Sequence, residues 1–519
     1  MYCCSSVKYA QVRKLAVLVV WSAGIVLLAL PSATASAADA KPNIVVLFAD
    51  DLGYGDLGCY GHPTIRTPNL DRMAAEGMRF TQFYVAECVC TPSRAALMTG
   101  RLPIRNGMCS DTRRVLFPNS AGGLPADEIT LAEALHDLGY ASACFGKWHL
   151  GHLPQYLPDQ HGFDEFFGLP YSNDMDRLLE VGPKGRAAFE EPLSEYWNVP
   201  LMRGTEIVER PADQTTLTRR YTEAAVDFIT AHREQPFFVY VPQTMVHVPL
   251  FRSADFTDKS SRGLYGDCVE EVDWSVGRIL DTLRELGLAE NTLVWFSSDN
   301  GPWLTFGDQG GSAGLLHEGK GSTWEGGMRV PGIACWPGHV PSGVVSQELA
   351  STLDVLPTCV TLAGGAAPTD RIMDGYDISP VLLGTGNSPR EHVFYYRGRR
   401  LMAVRKGAWK AHFITQDAYG PGAKQSTEHN PPLLYNLLHD PSEANDVAAK
   451  NPEVVEEVRI LVEEHGAELF VPPSQLDRTL REERTPDAAE QTGNAPDSGE
   501  PTINPPSDGA KSPAKSGSP

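Results

Sequence analysis

Two pairs of side chains with oxygen donors follow apolar runs in this sequence of 519 residues. Asp50 and Asp51 come directly after the run NIVVLFA. Asp299 and Asn300 come shortly after the run TLVWFS. Carboxylate and amide oxygens are hard ligands that suit Ca²⁺ or Mg²⁺ rather than zinc, and carboxylates held together without a cation would raise one another's pKa values. Such residues also form ordinary turns after strands, but the two pairs together favour a metal site.

The segment 90–101 has the sequence CTPSRAALMTGR, which is typical of the start of a helix with a reactive residue. Pro92 is predicted to be the first helical position, with the helix continuing over 93–99. Cys90 then lies at a helix N-terminus, where free N–H groups and the helix dipole favour an anion. Arg94 follows one turn later and can point to the same place. A structural cysteine at a helix cap is the alternative.

Cationic, imidazole and hydroxyl side chains follow other apolar runs. Lys147 and His149 follow the run SACF, and His247 follows PFFVYVP. Lys320 lies in a Gly-Lys-Gly segment and Ser172 in Pro-Tyr-Ser-Asn-Asp. Each has an ordinary interpretation, because a lysine is usually exposed, a histidine between apolar residues is often part of the core, and PYSND is also typical of a turn.

The alternation of short apolar runs with helical patterns predicts an α/β fold, with a large, mostly parallel sheet flanked by helices. The predicted strands are 43–49, 142–145, 236–242 and 292–297, and the predicted helices are 131–138, 219–232 and 269–286. Ligands of open α/β sheets bind outside the carboxyl ends of the strands. The polar groups that follow these four strands therefore predict a functional site.

A second, smaller domain is predicted after a catalytic domain at 41–380. Short strands are predicted at 392–397, 401–406, 408–413 and 435–437, followed by an amphipathic helix at 454–469. We expect residues 381–470 to form an α+β domain with an antiparallel sheet.

The two ends differ from the middle of the chain. Residues 1–37 combine a basic start, the apolar run 15–30 and the small-residue sequence Ala-Ser-Ala, which is typical of a signal peptide. The run is shorter than the ~20 residues that span a bilayer, so we expect cleavage, no stable membrane insertion, and export to a periplasmic, extracellular or lumenal space. An uncleaved anchor is the alternative. Residues 485–519, rich in Pro, Ser, Gly and Asp, are predicted to be a disordered tail.

The composition narrows the classes of partner. A net charge of −21 argues against nucleic acid, since phosphate binding needs a basic surface. It does not exclude a small anionic substrate, because a few buried cations can make a positive pocket in an acidic protein. The cysteine spacing does not determine how, or whether, the cysteines pair in disulfides.

These motifs, in this order, resemble the sulfatase family, whose members depend on formylglycine and belong to the alkaline phosphatase superfamily. The Cys-x-Pro-Ser-Arg sequence at 90–94 carries the resemblance, together with further matches at 42–63, 146–151, 170–174, 297–302 and 319–331. The segments 403–413 and 431–443 resemble the C-terminal part of arylsulfatase A-like enzymes. The resemblance implies an alkaline-phosphatase-like fold and a sulfuric ester hydrolase.

The resemblance also implies a metal site and a modified nucleophile. The implied ligands of Ca²⁺, with Mg²⁺ possible, are Asp50, Asp51, Asp299, Asn300 and residue 90. In that family the cysteine is oxidised by a formylglycine-generating enzyme to Cα-formylglycine (3-oxoalanine). One hydroxyl of the aldehyde hydrate takes the sulfuryl group, and the other collapses to expel sulfate. An unmodified cysteine cannot release sulfate in this way, so Cys90 is expected to be modified.

The remaining candidates receive their roles from the same resemblance. Arg94 and His149 would hold and activate the aldehyde hydrate. The sulfate would contact Lys147, Ser172, His247 and Lys320, and either His247 or Lys320 would protonate the leaving oxygen.

We therefore expect an exported, calcium-dependent enzyme that hydrolyses an aryl, glycolipid or sugar sulfate monoester. The segments 177–207 and 413–432 are expected to set the choice of substrate, with His429 at the mouth of the pocket. One alternative is a phosphonate or phosphodiester hydrolase of the same superfamily. The other is a silent anion- or glycan-binding protein, if Cys90 stays unconverted.

Overall fold

The computed structural model describes residues 41–420 and 425–480. The predicted signal peptide and the predicted tail at 485–519 lie outside these residues. Within the described ranges, none of the helices is long and apolar enough to cross a membrane.

The described strands and helices follow in chain order. The strands are β1 (Asn43–Ala49), β2 (Met78–Tyr84), β3 (Ala141–Lys147), β4 (Glu165–Leu169), β5 (Leu201–Arg203), β6 (Glu206–Glu209), β7 (Phe237–Pro242), β8 (Thr292–Ser298), β9 (Arg329–Cys335), β10 (Val344–Ser346), β11 (Ala350–Ser351), β12 (His392–Arg397), β13 (Arg400–Lys406), β14 (Trp409–Gln416) and β15 (Ser426–Asn436). The helices are α1 (Pro68–Glu76), α2 (Cys90–Thr99), α3 (Pro103–Asn106), α4 (Leu131–His136), α5 (Ala187–Glu190), α6 (Leu217–Ala231), α7 (Gly263–Glu285), α8 (Glu325–Met328), α9 (Val355–Leu362), α10 (Ser379–Leu382) and α11 (Pro452–Ala467).

The larger sheet is mixed, with a parallel centre. Its strand order is β10-β2-β9-β8-β1-β7-β3-β4-β5-β6, and β11 pairs with β2. The neighbours β8, β1, β7, β3 and β4 run parallel, whereas β8–β9, β2–β9 and β4–β5 are antiparallel pairs. The predicted α/β fold is confirmed.

Strand β1 shows why the centre of the sheet reads as a continuous apolar run. Alternate residues from Ile44 to Phe48 pack into one buried cluster, and those from Val45 to Ala49 pack into a second. Successive side chains of a strand point to opposite faces, so a strand covered on both faces has no polar side. Residues of α4 and α9 belong to the first cluster, and residues of α6 and α7 to the second.

Helix α7 begins six residues before the predicted start at 269. Its first turns contain two glycines, which weaken helix propensity, but tertiary contacts offset this. The carboxylate of Asp267 accepts main-chain N–H groups of Asp258, Lys259 and Ser260 at 2.8–3.0 Å. Propensity alone therefore placed the start too late.

The smaller sheet is antiparallel, in the order β12-β13-β14-β15, which confirms the predicted C-terminal sheet. Strand β15 is longer than the predicted 435–437 and includes Pro431 and Pro432. Proline is tolerated in an edge strand, where one side of the backbone has no neighbour. Part of the segment 413–432 is therefore strand, and helix α11 packs on this sheet through Val455 and Val458.

Candidate active site

The predicted metal ligands meet at the carboxyl ends of two neighbouring strands. Asp50 and Asp51 follow β1, and Asp299 and Asn300 follow β8. Ala49 is the register partner of Ser298, so the two pairs leave the sheet side by side. All four residues are buried, at no more than 2% exposure.

Helix α2 places Cys90 against this cluster. The helix begins at Cys90 itself, two residues earlier than predicted, and Pro92 occupies its first turn, where a missing N–H costs no helical hydrogen bond. It ends at Thr99 and is capped by Gly100, whose φ of +65° suits glycine. The Sγ of Cys90 lies 3.8 Å from Oδ1 of Asp50, and burial raises the pKa of the Cys90 thiol to about 12.

Arg94 ties α2 to three strand ends. Its Nε and Nη2 donate to Oδ2 of Asp299 at 3.0 and 2.8 Å, and its Nη1 donates to the main-chain oxygen of Lys147 at 2.8 Å. Its Nη2 also lies 3.4 Å from Oδ2 of Asp50. The guanidinium is fully buried among these acceptors, so its orientation is fixed.

Lys147 is the last residue of β3, and its Nζ donates to the carboxylate of Asp50 and to Oγ of Ser172, the latter at 3.1 Å. The preceding Gly146 is required, since a Cβ there would lie 1.8 Å from the main-chain oxygen of Pro242. Burial alone would raise the pKa of Asp50, but the charges of Lys147 and Arg94 outweigh it and hold that pKa well below its usual range.

Lys320 reaches the same cluster from the loop after β8. Its Nζ lies 2.8 Å from Oδ1 of Asp51 and 4.4 Å from the centre of the Trp303 ring. The amide nitrogen of Asn300 donates to Oδ1 of Asp51 at 2.7 Å. Burial and the charges of Asp50 and Asp299 outweigh Lys320 and raise the pKa of Asp51 to about 7.

Both predicted histidines are buried in contact with main-chain oxygens, which fixes their tautomers. Nε2 of His149 lies 2.9 Å from the carbonyl oxygen of Leu116, so Nε2 carries the hydrogen, and Nδ1 has no partner among the described residues. Nδ1 of His247 donates to the carbonyl of Val248, and its Nε2 lies 3.7 Å from Oδ2 of Asp51. Burial and nearby lysines lower the pKa of each imidazole well below 6.5, so both are neutral.

The residues of this cluster fit a hard cation. Ligand atoms of Asp50, Asp51, Cys90 and His247 lie within 4.8 Å of one another. The side-chain oxygen of Asn300 is buried without a hydrogen-bond partner among the described residues. Buried polar atoms normally have a hydrogen-bond partner. An oxygen atom that lacks a hydrogen-bond donor and lies beside several carboxylates is therefore suited to bind Ca²⁺ or Mg²⁺.

The structure also brings in residues that the sequence interpretation missed. Trp303 faces both Lys320 and His247, with its ring centre 5.5 Å from that of His247. Its place three residues after Asn300 was an available signal. His429 lies on β15, and its Nε2 is hydrogen-bonded to Oγ1 of Thr415 on β14 at 2.8 Å rather than to a member of the cluster.

The segment 177–207 supports Trp303 from outside the site. Arg186 donates to the main-chain oxygen of Thr305 at 3.0 Å, and the Phe189 and Phe306 rings lie 5.4 Å apart. Phe306 in turn contacts Trp303, with ring centres 4.9 Å apart. This segment therefore acts on the site through the residues that hold Trp303.

Comparison with known families decides between the chemistries that this geometry allows. The family model described as Sulfatase matches residues 42–366, and the model described as the C-terminal region of aryl-sulfatase matches residues 388–495. The chain belongs to the sulfatase family. It is therefore a sulfuric ester hydrolase.

Similar proteins support this sulfatase assignment over most of the chain. Arylsulfatase A of Homo sapiens is 44% identical over 464 residues, covering 84% of this chain and 90% of that protein. N-acetylgalactosamine-6-sulfatase of Canis lupus familiaris is 42% identical over 480 residues, with 85% and 89% covered. The crystal structure of the PsFucS1 sulfatase from Pseudoalteromonas sp. superimposes with a TM-score of 0.74 at 30% identity, covering 82% of this chain and 90% of that one.

Proposed function

We propose that this sulfatase is exported and hydrolyses an organic sulfate monoester, using a formylglycine made from Cys90 and a calcium ion. The observation that supports this proposal is the position of Cys90, which starts α2 and places its Sγ 3.8 Å from Asp50. Three buried cations, Arg94, Lys147 and Lys320, contact the carboxylates around it. A sulfate ester needs such cations around its oxygens.

In this proposal the metal ligands are Asp50, Asp51, Asp299, Asn300 and the modified residue 90. When bound, calcium would offset the carboxylates and polarise the sulfate oxygens. We also propose that the residues 41–380 form the catalytic domain and 381–470 the C-terminal domain.

Maturation would convert the Cys90 thiol into an aldehyde, whose hydrate supplies both a nucleophile and a way to release sulfate. Every residue of α2 is buried, and Cys90 is only 2% exposed. We therefore expect the formylglycine-generating enzyme to reach this cysteine before the chain has folded.

The neighbouring side chains would then bind sulfate and move protons. Lys147 and Lys320 would exchange their contacts with the carboxylates of Asp50 and Asp51 for contacts with sulfate oxygens. Ser172, which Lys147 contacts, would bind the sulfate beside it. Nδ1 of His149 has a free lone pair and can accept a proton from a hydroxyl at residue 90. Lys320 carries a proton that it can donate to the leaving oxygen, whereas His247 would first have to be protonated at Nε2.

Aryl, glycolipid and sugar sulfates all fit this proposal. The relatives of this chain support a sugar sulfate, because they include N-acetylgalactosamine-6-sulfatases. The segments 177–207 and 413–432 remain the proposed determinants of the choice.

Mass spectrometry of the tryptic peptide 80–94 tests the proposal directly. We expect an aldehyde in place of one of its two thiols, at Cys90, and turnover of 4-nitrophenyl sulfate well above that of an aryl phosphodiester. Cys90→Ala should abolish turnover, while Cys88→Ala, which removes the other thiol of the peptide, should keep it. An intact Cys90 thiol in active protein would contradict the proposal.

A further inference from the structure

A cavity of about 310 Å³ lies beside the start of α2. Part of the wall of this cavity is formed by Val89, which precedes Cys90, and by Pro92, which follows Thr91. Three arginines, Arg114, Arg397 and Arg400, line the rest together with residues of the smaller sheet. We call it the arginine cavity.

The charge of the arginine cavity is positive. Arg397 donates to a main-chain carbonyl at 3.0 Å, and Arg400 lies 3.4 Å from Glu428, whose side chain is 81% exposed, so that pair is weak. Two carboxyl residues also line the cavity. Burial raises the pKa of Glu87 to about 8, which leaves it uncharged at neutral pH, and Asp111 accepts a main-chain N–H at 2.9 Å.

Tyr419 joins this cavity to the active site. Its ring centre lies 4.3 Å from the guanidinium carbon of Arg114 and 5.4 Å from that of Arg397. Its main-chain N–H donates to the carbonyl of Lys320 at 3.2 Å, and its ring lies over Gly321, where a Cβ would be 2.7 Å from the ring. The arginine cavity and the Lys320 loop therefore share a wall.

We propose that Arg114, Arg397 and Arg400 bind a second anionic group, a carboxylate or a sulfate, on the sugar next to the one that carries the scissile sulfate. The inference rests on the proposed function, because the substrate must place its scissile sulfate at Cys90, and Val89 and Pro92 on either side of Cys90 line the same cavity as Tyr419. Guanidinium groups match the geometry of oxyanions. The volume is at the lower end of the range of ligand pockets and suits a single sugar unit.

Equilibrium binding to the Cys90→Ala variant tests this without depending on turnover. The probes are disaccharides in which 6-sulfated N-acetylgalactosamine is linked to a uronic acid, to the same sugar with its carboxyl group reduced, or to a sulfated neutral sugar. We expect calorimetry to give both dianionic probes an affinity at least about tenfold higher than the neutral-neighbour probe, as for charge-assisted hydrogen bonds. A preference for one dianion identifies which group the cavity takes.

Arg114→Gln combined with Arg400→Gln should abolish the difference between the probes. Arg399→Gln is the matched control, since Arg399 lies in the same hairpin but donates to the main-chain oxygen of Pro472, and it should preserve the difference. Equal affinities for all three probes, or a difference that survives the double substitution, would overturn the inference. Failure of the converted wild-type enzyme to cleave any of these sulfates, with the affinity difference intact, would instead count against the proposed function.

Discussion

The guanidinium of Arg94 and the carboxylate of Asp299 form a fully buried ion pair, with Nη2 2.8 Å and Nε 3.0 Å from the same oxygen, Oδ2. The pair joins the helix that begins at Cys90 to the end of β8. Removing Arg94 would leave the buried carboxylate of Asp299 without its ion-pair partner. The position of residue 90 relative to the carboxylates therefore depends on this pair.

Arg94→Lys should lower the kcat for 4-nitrophenyl sulfate by about 100-fold or more, because it removes the guanidinium that holds the start of α2, and with it residue 90, against Asp299. Lysine keeps the charge but not the planar fork, so the bond to the Lys147 carbonyl is also lost. Steady-state kinetics measure the effect on kcat, and the urea midpoint measures the effect on stability.

Arg101→Lys is the matched control, since Arg101 also pairs with a carboxylate, that of Glu128. The kcat of this variant should stay within about twofold of the wild-type value, as expected for a substitution away from the site. A wild-type kcat for Arg94→Lys would contradict its proposed role.

Asn300→Leu tests the metal proposal without changing the net charge. It removes the buried side-chain oxygen that has no hydrogen-bond partner among the described residues. We expect the calcium affinity of chelator-treated protein to fall by about tenfold or more, and the calcium-induced rise in the thermal midpoint to shrink with it. Titration calorimetry and thermal unfolding check the two effects.

Asn106→Leu is the control for Asn300→Leu. Asn106 is also buried, but its side chain binds Thr99 and the main chain of Met108 instead of the carboxylate cluster. This variant should lose stability and keep its response to calcium. An unchanged calcium affinity in Asn300→Leu would remove Asn300 from the metal site.

The sequence predicted the gathering of the four metal-ligand candidates because adjacent parallel strands end at one edge of a sheet. It did not predict the partner of Arg94. Helical spacing indicates the direction in which that side chain points, but its partner Asp299 lies 205 positions away and is brought there by the pairing of β1 with β8. Trp303 was missed for a related reason, since its neighbour Lys320 comes from a loop and no periodicity connects them.

The same limit applies to the elements themselves. Strand β1 was predicted at its observed bounds, because burial on both faces leaves a clear apolar run. The start of α7 and the length of β15 depend on tertiary contacts, namely the Asp267 carboxylate and the pairing of β15 with β14. Neither contact can be predicted from local helix or strand propensity.

Lys410→Met should destabilise the protein by about 3–5 kcal/mol, the cost of breaking a buried ion pair. Its Nζ lies 3.0 Å from Glu325 of α8 and 2.9 Å from Glu443, and all three side chains are fully buried. Without the lysine, these two carboxylates between the two sheets lose their shared cation. Chemical denaturation measures the loss.

Two further variants make the Lys410 prediction specific. Lys406→Met removes an exposed lysine from the neighbouring strand, paired with Glu457 at 2.9 Å, and should cost less than about 1 kcal/mol. Adding Glu443→Gln to Lys410→Met should recover part of the stability, because Glu443 loses its cation when Lys410 is replaced, whereas Glu325 keeps Arg329 at 3.5 Å. A larger loss in the double variant than in Lys410→Met would argue against this explanation.

His161 should make the stability of the protein fall as the pH is lowered from about 6.5 to about 4. Its side chain is buried beside Trp148, with ring centres 5.9 Å apart, and burial lowers its pKa to about 4. The unfolded chain takes up the proton near 6.5 and the folded chain only near 4, so acid favours unfolding, by up to about 3 kcal/mol across that range. His161→Phe should flatten this part of the curve of unfolding midpoint against pH.

Phe163→Leu is the control, because it perturbs the packing around Trp148 without removing a titrating group. It should lower the unfolding midpoint at every pH and leave the slope of the curve as in the wild type. Equal slopes in wild type and His161→Phe would show that another group causes the acid sensitivity.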